Sequence, residues 1–527
     1  MNLEEHLLSC TTQKAWKKIG ISTHHGIAIS LASIHSKNSC GIGEFGDLVP
    51  LIQWCKEVGF DVIQLLPIND TAMDPSPYNA ISSCALNPIY LSLSLLPNVL
   101  EDETLCEEIS NLNELNQLQQ VPYALIYKKK MSFLRKYYQG FGPSIIHSHD
   151  FKAFQSQNAW LSSYSLYKHL KETFDQRDHF SWPKEFKNLS KKQIHTLVSA
   201  HQREVQFFSV VQFLCFEQLC SVKREAARKK IWIKGDIPIL ISPDSVEVWE
   251  TPDLFILDYR AGAPPDFYNP DGQYWGFPLY NWHVMKHYHF AFWKQRLSYA
   301  ANFYDLYRLD HVIGFFRIWA VLKDGDPKDG IFVPQDESLW EEQGNFLLTT
   351  LCSFSDMLPI AEDLGTVPKV VRPVLEKLGI CSTKVMRWER FWDDSLDYIP
   401  INAYPSVSMT CLSTHDSPTL AQWWRDFPDE VAYLCQEKNW SYSPILDFEK
   451  RNILLKDSLH TTSLFHISLL QEFLSLCPDL SWEDIDQERI NVPGTILLTN
   501  WSFKIKPSIE ELKYNLKIKE LIKDIIR

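Results

Sequence analysis

The sequence lacks the short cysteine pairings that signal a metal site or a disulfide frame. Its twelve cysteines are scattered over 527 residues with no CxxC and no Cys/His cluster. That usage fits reduced thiols in a cytoplasm rather than a secreted scaffold. The first ten residues, MNLEEHLLSC, hold acids and no basic n-region, so no secretory leader is expected. No uncharged apolar run approaches the roughly 18 residues that a membrane span needs. Positive charge is also short: 52 Lys and Arg face 65 Asp and Glu, a net charge of −13. This balance argues against nucleic acid or an anionic membrane as partner and leaves room for a neutral substrate. There is no GxSxG elbow for an activated serine and no HExxH for zinc. Internal repeats, low-complexity tracts and Gly/Ser linkers are missing too, which points to one compact unit over 1–527.

What is present begins with a large core: 45% of residues are apolar and only 22% charged. Aromatics reach 13%, which serves either core packing or flat platforms for sugar rings; composition leaves both open. Short apolar runs recur and end in loops dense in Gly, Pro, Asp or His. Eight such runs read as strands: 26–31, 61–67, 231–238, 304–310, 357–363, 383–389, 406–416 and 493–500. Helical material separates most of them, so the expected fold is α/β, a (β/α)8 TIM barrel. Spacing is uneven, with large helical insertions expected at 100–230, between the second and third strands, and at 428–485, between the seventh and eighth.

Two motifs mislead. GIGEFG at 41–46 spells GxGxxG, but about ten residues separate it from the preceding strand and no acid stands at the tip of the next one. A dinucleotide loop needs both. His283 and His287 have the i, i+4 spacing of a zinc pair, with His289 nearby, yet no further ligand pattern accompanies them. A place on the surface or the rim of the core accounts for them.

The informative feature is a set of acids at strand ends. Asp236, Asp310, Glu362 and Asp416 each follow an apolar run. One strand-end acid is ordinarily a cap or turn residue. Four together, where barrel enzymes keep their chemistry, read as a site. In DLYRLDHVIGFFRIW (305–319) an apolar strand carries Arg308, Asp310 and His311, and a buried carboxylate is costly unless paired. Converging carboxylates with Arg and His suit glycosidic chemistry, which needs a nucleophile and a proton donor. Arg308, two residues before Asp310, shares its strand face and marks Asp310 as the ionised partner. Glu362 leaves the apolar run MLPIA, which suits a raised pKa and the donor role. Asp416, beside His415, is left to grip ring hydroxyls.

These motifs resemble the 4-α-glucanotransferases (amylomaltases, or disproportionating enzymes) of glycoside hydrolase family 77, relatives of the α-amylases. The resemblance runs from about residue 24 to about 505. It rests on GIAISLASIHSKNSCGIGEFGD, LLPINDTAMDPSPYNAISSCALNPIYL, KGDIPILISPDSVEVW, AGAPPDFYNPDGQYWGFPLYNW, RLDHVIGF, IAEDLG, LSTHDSPT and RINVPGTILLTNW. It implies Asp310 as nucleophile, Glu362 as acid/base and Asp416 as third acid. It implies glucan contacts at Tyr78, Asp236, Asp266, Gln273, Trp275, Arg308, His311, His415 and Asn491. The implied partners are α-1,4-glucan donors and acceptors, including malto-oligosaccharides and glycogen, and no metal or cofactor is called for. Val312-Ile313-Gly314 after the DH pair, Phe277, and Ser417-Pro418 depart from the common bacterial pattern. DHVIGFFRIW and WGFPLYNW are similar to the plant cytosolic branch. The first strand is reached by residue 26, so that branch's N-terminal starch-binding modules are expected to be absent, as is its large insertion near the site. An α-1,4-glucan hydrolase and an inactive glucan-binding protein are the competing readings.

Overall fold

The computed structural model describes residues 2–265, 270–392 and 395–527. Eight parallel strands form one sheet: His24–Ile29, Val62–Leu65, Trp232–Ile237, Leu306–Leu309, Leu358–Ala361, Ser382–Val385, Ser408–Cys411 and Phe465–Leu469. Numbered first to eighth along the chain, they lie in the order 5-4-3-2-1-8-7-6. The open ends meet where Ile360 bridges Cys381 in parallel and the Ala361 N–H donates to the Cys381 carbonyl at 2.7 Å. The sheet is therefore a closed barrel. Burial of both faces explains why these strands read as short apolar runs without alternation.

Local chemistry sets the units. The helix Leu48–Val58 stops at Gly59, whose φ of +102° is open to glycine at little cost, and the chain turns directly into the second strand. Between the second and third strands run the helices Tyr123–His147, Trp160–Thr173 and Gln202–Lys229, among others. Gln202–Lys229 is long and apolar enough to cross a membrane, but 67% of its most apolar window is buried against the rest of the protein. Asp70, just past the second strand, accepts hydrogen bonds from Tyr164 and Lys168 and is wholly buried with that lysine. This pair ties the helical insertion to the barrel. In the loop at 41–46, a Cβ on Gly43 would sit 1.9 Å from the Leu31 carbonyl, so packing accounts for that glycine.

The eighth strand differs from the sequence reading. It is Phe465–Leu469, paired with the first and seventh strands. The segment 493–500 is turn and coil, with Ile496 and Leu498 fully exposed. The insertion read as 428–485 is likewise corrected. The helices Leu420–Asp426, Pro428–Glu437 and Phe448–Leu459 precede the eighth strand, which lies inside that range. FHISL is a five-residue run following a helix with little punctuation, and periodicity cannot separate the two. PGTILLTN has strand composition, but the Asn500 side chain bonds Val492 and Thr495 and curls the backbone into a turn.

Beside the barrel, Ile331–Val333, Ile318–Leu322, Tyr259–Ala263 and Gln273–Tyr274 form an antiparallel sheet in that order. It joins the insertion after the third strand to the segment after the fourth.

Candidate active site

The register of the parallel strands assembles the acids. Asp236 stands opposite Arg308 on adjacent strands, and Arg308 opposite Ile360. Alternate residues share a face, so Asp310 and Glu362 follow one step up the same interior surface. The Glu362 N–H donates to the Leu309 carbonyl at 3.0 Å, and the Val312 N–H donates to the Glu362 carbonyl at 3.1 Å. Those bonds fix the two strand tips against each other.

Arg308 is the hub. Its Nη1 lies 3.0 Å from both Asp236 oxygens and 2.7 Å from Asp310 Oδ1, while Nη2 lies 3.6 Å from Glu362 Oε2. Five N–H donors in a rigid plane allow one guanidinium to serve several carboxylates. Tyr78 Oη donates to Asp236 Oδ2 at 2.8 Å. The His311 N–H donates to Glu362 Oε2 at 2.7 Å. To aim that N–H, His311 takes a left-handed backbone, φ +40° and ψ +55°, which costs a non-glycine residue about 1–3 kcal/mol.

The environments of these groups diverge. Burial, helped by the Asp310 charge and opposed by Arg308, pushes the Glu362 carboxyl up to about 8. Burial also raises Asp236, against the pull of Arg308. Burial pushes the His311 imidazole down to about 4, so that ring is neutral at pH 7. For Asp416, burial works upward, but His415, Asn491 and Arg308 together hold it at about 2. The Asp416 side chain keeps 45% of its surface open to the cleft, so its acidity rests on these partners rather than on a dry setting.

Asp416 anchors a second group. His415 Nε2 lies 3.3 Å from Asp416 Oδ2, and Asn491 Nδ2 donates to Asp416 Oδ1 at 2.7 Å. The Tyr78 ring stacks on His415, centroids 5.2 Å apart, and Trp501 packs against both. Tyr78 therefore joins the two groups, its hydroxyl on Asp236 and its ring on His415. On the facing side, Trp275 meets the His311 ring edge-on at 4.8 Å and donates from Nε1 to Gln273 Oε1 at 2.9 Å.

The structure thus gathers Tyr78, Asp236, Arg308, Asp310, His311, Glu362, His415, Asp416 and Asn491 through direct contacts, with Gln273 and Trp275 attached by way of His311. Asp266 lies outside the described residues. Two contributors escaped the sequence reading. Arg489 Nη2 donates to the Asp416 carbonyl at 2.9 Å, and Trp501 flanks Tyr78. They flank the segment 493–500 that was read as a strand, at the two ends of the RINVPGTILLTNW motif, and proximity to Asn491 was the available signal. Asp363, next to Glu362, is structural: wholly buried, it accepts from the Thr383 N–H and Arg372. His283 and His287 are exposed and line an open cleft with Asp253 and Tyr288.

The departures noted in the sequence also find places. Val312, Ile313 and Phe315 are buried, and Phe315 packs on Trp282 and Trp293. A Cβ on Gly314 would meet Ile239 at 2.7 Å and His311 at 3.0 Å. This turn is therefore packing beneath His311. The Phe277 carbonyl accepts the Ala261 N–H at 2.8 Å, and the Ser417 hydroxyl accepts the Thr414 N–H at 2.8 Å.

A family model described as 4-alpha-glucanotransferase matches residues 29–510. A 4-alpha-glucanotransferase of Chlamydia pneumoniae is 44% identical over 528 residues, covering 100% of this chain and 99% of that protein. One from Oryza sativa subsp. japonica is 26% identical, over 95% of this chain and 69% of its own length. The solved amylomaltase from Streptococcus agalactiae in complex with acarbose aligns with a TM-score of 0.79 at 25% identity, covering 95% of this chain and 98% of that one. The chain belongs to the 4-alpha-glucanotransferase family, glycoside hydrolase family 77.

Proposed function

We propose that this 4-alpha-glucanotransferase cuts and rejoins α-1,4-glucans by a retaining double displacement on Asp310 and Glu362. The observation that carries the reading is one guanidinium, Arg308, placed between two carboxyls in unlike settings. Asp310 pairs with Arg308 at 2.7 Å, the partner an anionic nucleophile needs, whereas burial keeps Glu362 protonated at neutral pH. Asp310 attacks the anomeric carbon as Glu362 protonates the departing 4-oxygen. The ester so formed is then displaced by the 4-hydroxyl of an acceptor, deprotonated by Glu362. Two inversions give net retention. Asp416, with His415 and Asn491, grips donor hydroxyls, and Tyr78, Trp275 and Trp501 supply ring faces. Proton transfer and attack both fall to side chains, so the sequence of steps calls on no metal or organic cofactor.

Malto-oligosaccharides are donor and acceptor, with glycogen as a larger acceptor. The relative from Streptococcus agalactiae holding acarbose supports a glucan-shaped site. All twelve cysteines are unpaired, which fits a reducing cytoplasm.

Incubation with maltotriose tests the function. Transfer yields glucose together with maltopentaose and longer chains at constant total reducing ends. Glucose and maltose alone, with reducing ends rising, would mean hydrolysis and overturn the reading.

A further inference from the structure

The turn that carries His415 and Asp416 is held by guanidiniums that the mechanism above leaves unused. Its own closure is local: the Thr414 N–H donates to Ser417 Oγ at 2.8 Å, and the Ser417 N–H donates to the Thr414 carbonyl at 3.2 Å. Arg387, buried just past the sixth strand, donates from Nη1 to the Pro418 carbonyl at 3.0 Å and fixes the far end of the turn. These bonds leave open how the turn is placed against Asn491, which comes from a segment beyond the eighth strand.

Arg489 closes that gap. Its Nη2 donates to the Asp416 carbonyl at 2.9 Å and its Nε donates to the Asn491 carbonyl at 2.7 Å. The side chains of the same two residues bond each other, Asn491 Nδ2 donating to Asp416 Oδ1 at 2.7 Å. The pair is thus tied twice, once through its backbones and once through its side chains. Among the described residues Arg489 has no carboxylate within ion-pair distance, so no salt bridge competes for its N–H groups. A guanidinium offers its donors in one rigid plane, and two of them set the spacing of the carbonyls they bind. A hydroxyl grip needs its acceptor held to within a fraction of an ångström. We propose that Arg489 is a positioning residue for transfer: by bridging the Asp416 and Asn491 carbonyls it holds the Asp416 carboxylate where a hydroxyl of the donor ring meets it. This role rests on Asp416 gripping donor hydroxyls, as proposed above.

The experiment measures fluoride release from α-maltosyl fluoride, with glucose as acceptor, for wild type, Asp416→Asn, Arg489→Met and Arg489→Lys. Two further donors lack the 2- or the 3-hydroxyl of the ring that bears fluorine. For each enzyme the readout is the ratio of kcat/KM with the full donor to kcat/KM with the deoxy donor. A smaller active fraction cancels from that ratio, and the donors' own reactivity cancels between enzymes. Relative to wild type, Asp416→Asn should shrink the ratio about thirtyfold for the hydroxyl that Asp416 grips. Both Arg489 variants should shrink the ratio for that same hydroxyl by about tenfold or more and lower kcat/KM for the full donor. Lysine keeps the charge and the stem but not the fork, so Arg489→Lys should not restore the grip. It decides alone if Arg489→Met fails to fold. Arg489 variants that keep the wild-type ratio, however slow they are, overturn the proposal, and so does Arg489→Lys at the wild-type rate. If Asp416→Asn itself keeps the wild-type ratio for both deoxy donors, the reading of Asp416 falls and takes the role of Arg489 with it.

Discussion

Replacing Asp310 with asparagine should lower kcat by about 10⁴-fold or more, on the order of 5 kcal/mol of lost transition-state stabilisation. An amide of the same shape cannot form the ester, and no neighbouring acid can take over. Glu362 is held by the His311 N–H, Asp236 by Arg308 and Tyr78, and Asp416 by Asn491 and His415. Binding should survive, because the ring-stacking and hydroxyl-gripping groups are untouched. Fluorescence or calorimetric titration with maltotriose should give a Kd within a few-fold of the wild-type value. Asparagine also relieves Arg308 of one charge, and Asp236 remains its partner at 3.0 Å, so the fold should hold. Near-normal rates would show that Asp310 is not the attacking group.

Glu362→Gln should cost about 10³-fold in kcat with an ordinary glucan, within the usual worth of general acid–base catalysis. Its more telling effect is on pH dependence. The first half-reaction needs Glu362 protonated. Burial lifts its carboxyl to about 8, so wild-type kcat/KM should fall as pH rises through that value. Glutamine cannot titrate, so the basic limb should vanish along with most of the activity. A donor whose leaving group needs no proton, such as a glycosyl fluoride, should recover the first step but not the second, since the base is missing too. A basic limb that persists in Glu362→Gln would assign that limb to another group.

The strand tips made most of this legible beforehand. Asp236, Arg308, Asp310, Glu362 and Asp416 stand out because apolar strands expose only the polar residues that follow them, and a two-residue spacing fixes their shared face. What the pattern could not give is how the charges are divided. Arg308 reads as the partner of Asp310, yet it also holds Asp236 and approaches Glu362, because neighbouring strands bring those acids to the same height. The eighth strand was misplaced: Ile496 and Leu498 have the composition of a strand, but the bonds made by Asn500 decide their path. Val312 and Ile313 depart from the common bacterial pattern and are buried, with Phe315, in the packed floor under His311.

The most direct measurement uses the expected half-crippled enzyme. Glu362→Gln is incubated with an α-maltosyl fluoride, which reacts at the first step and stalls before the second. The protein is then digested at low pH and the peptides are weighed. The expected result is a peptide spanning Asp310 heavier by one maltosyl group, with the mass lost on adding a nucleophile such as azide. A sugar attached to any other side chain, or steady release of product from protein that never carries one, would contradict the double displacement on Asp310.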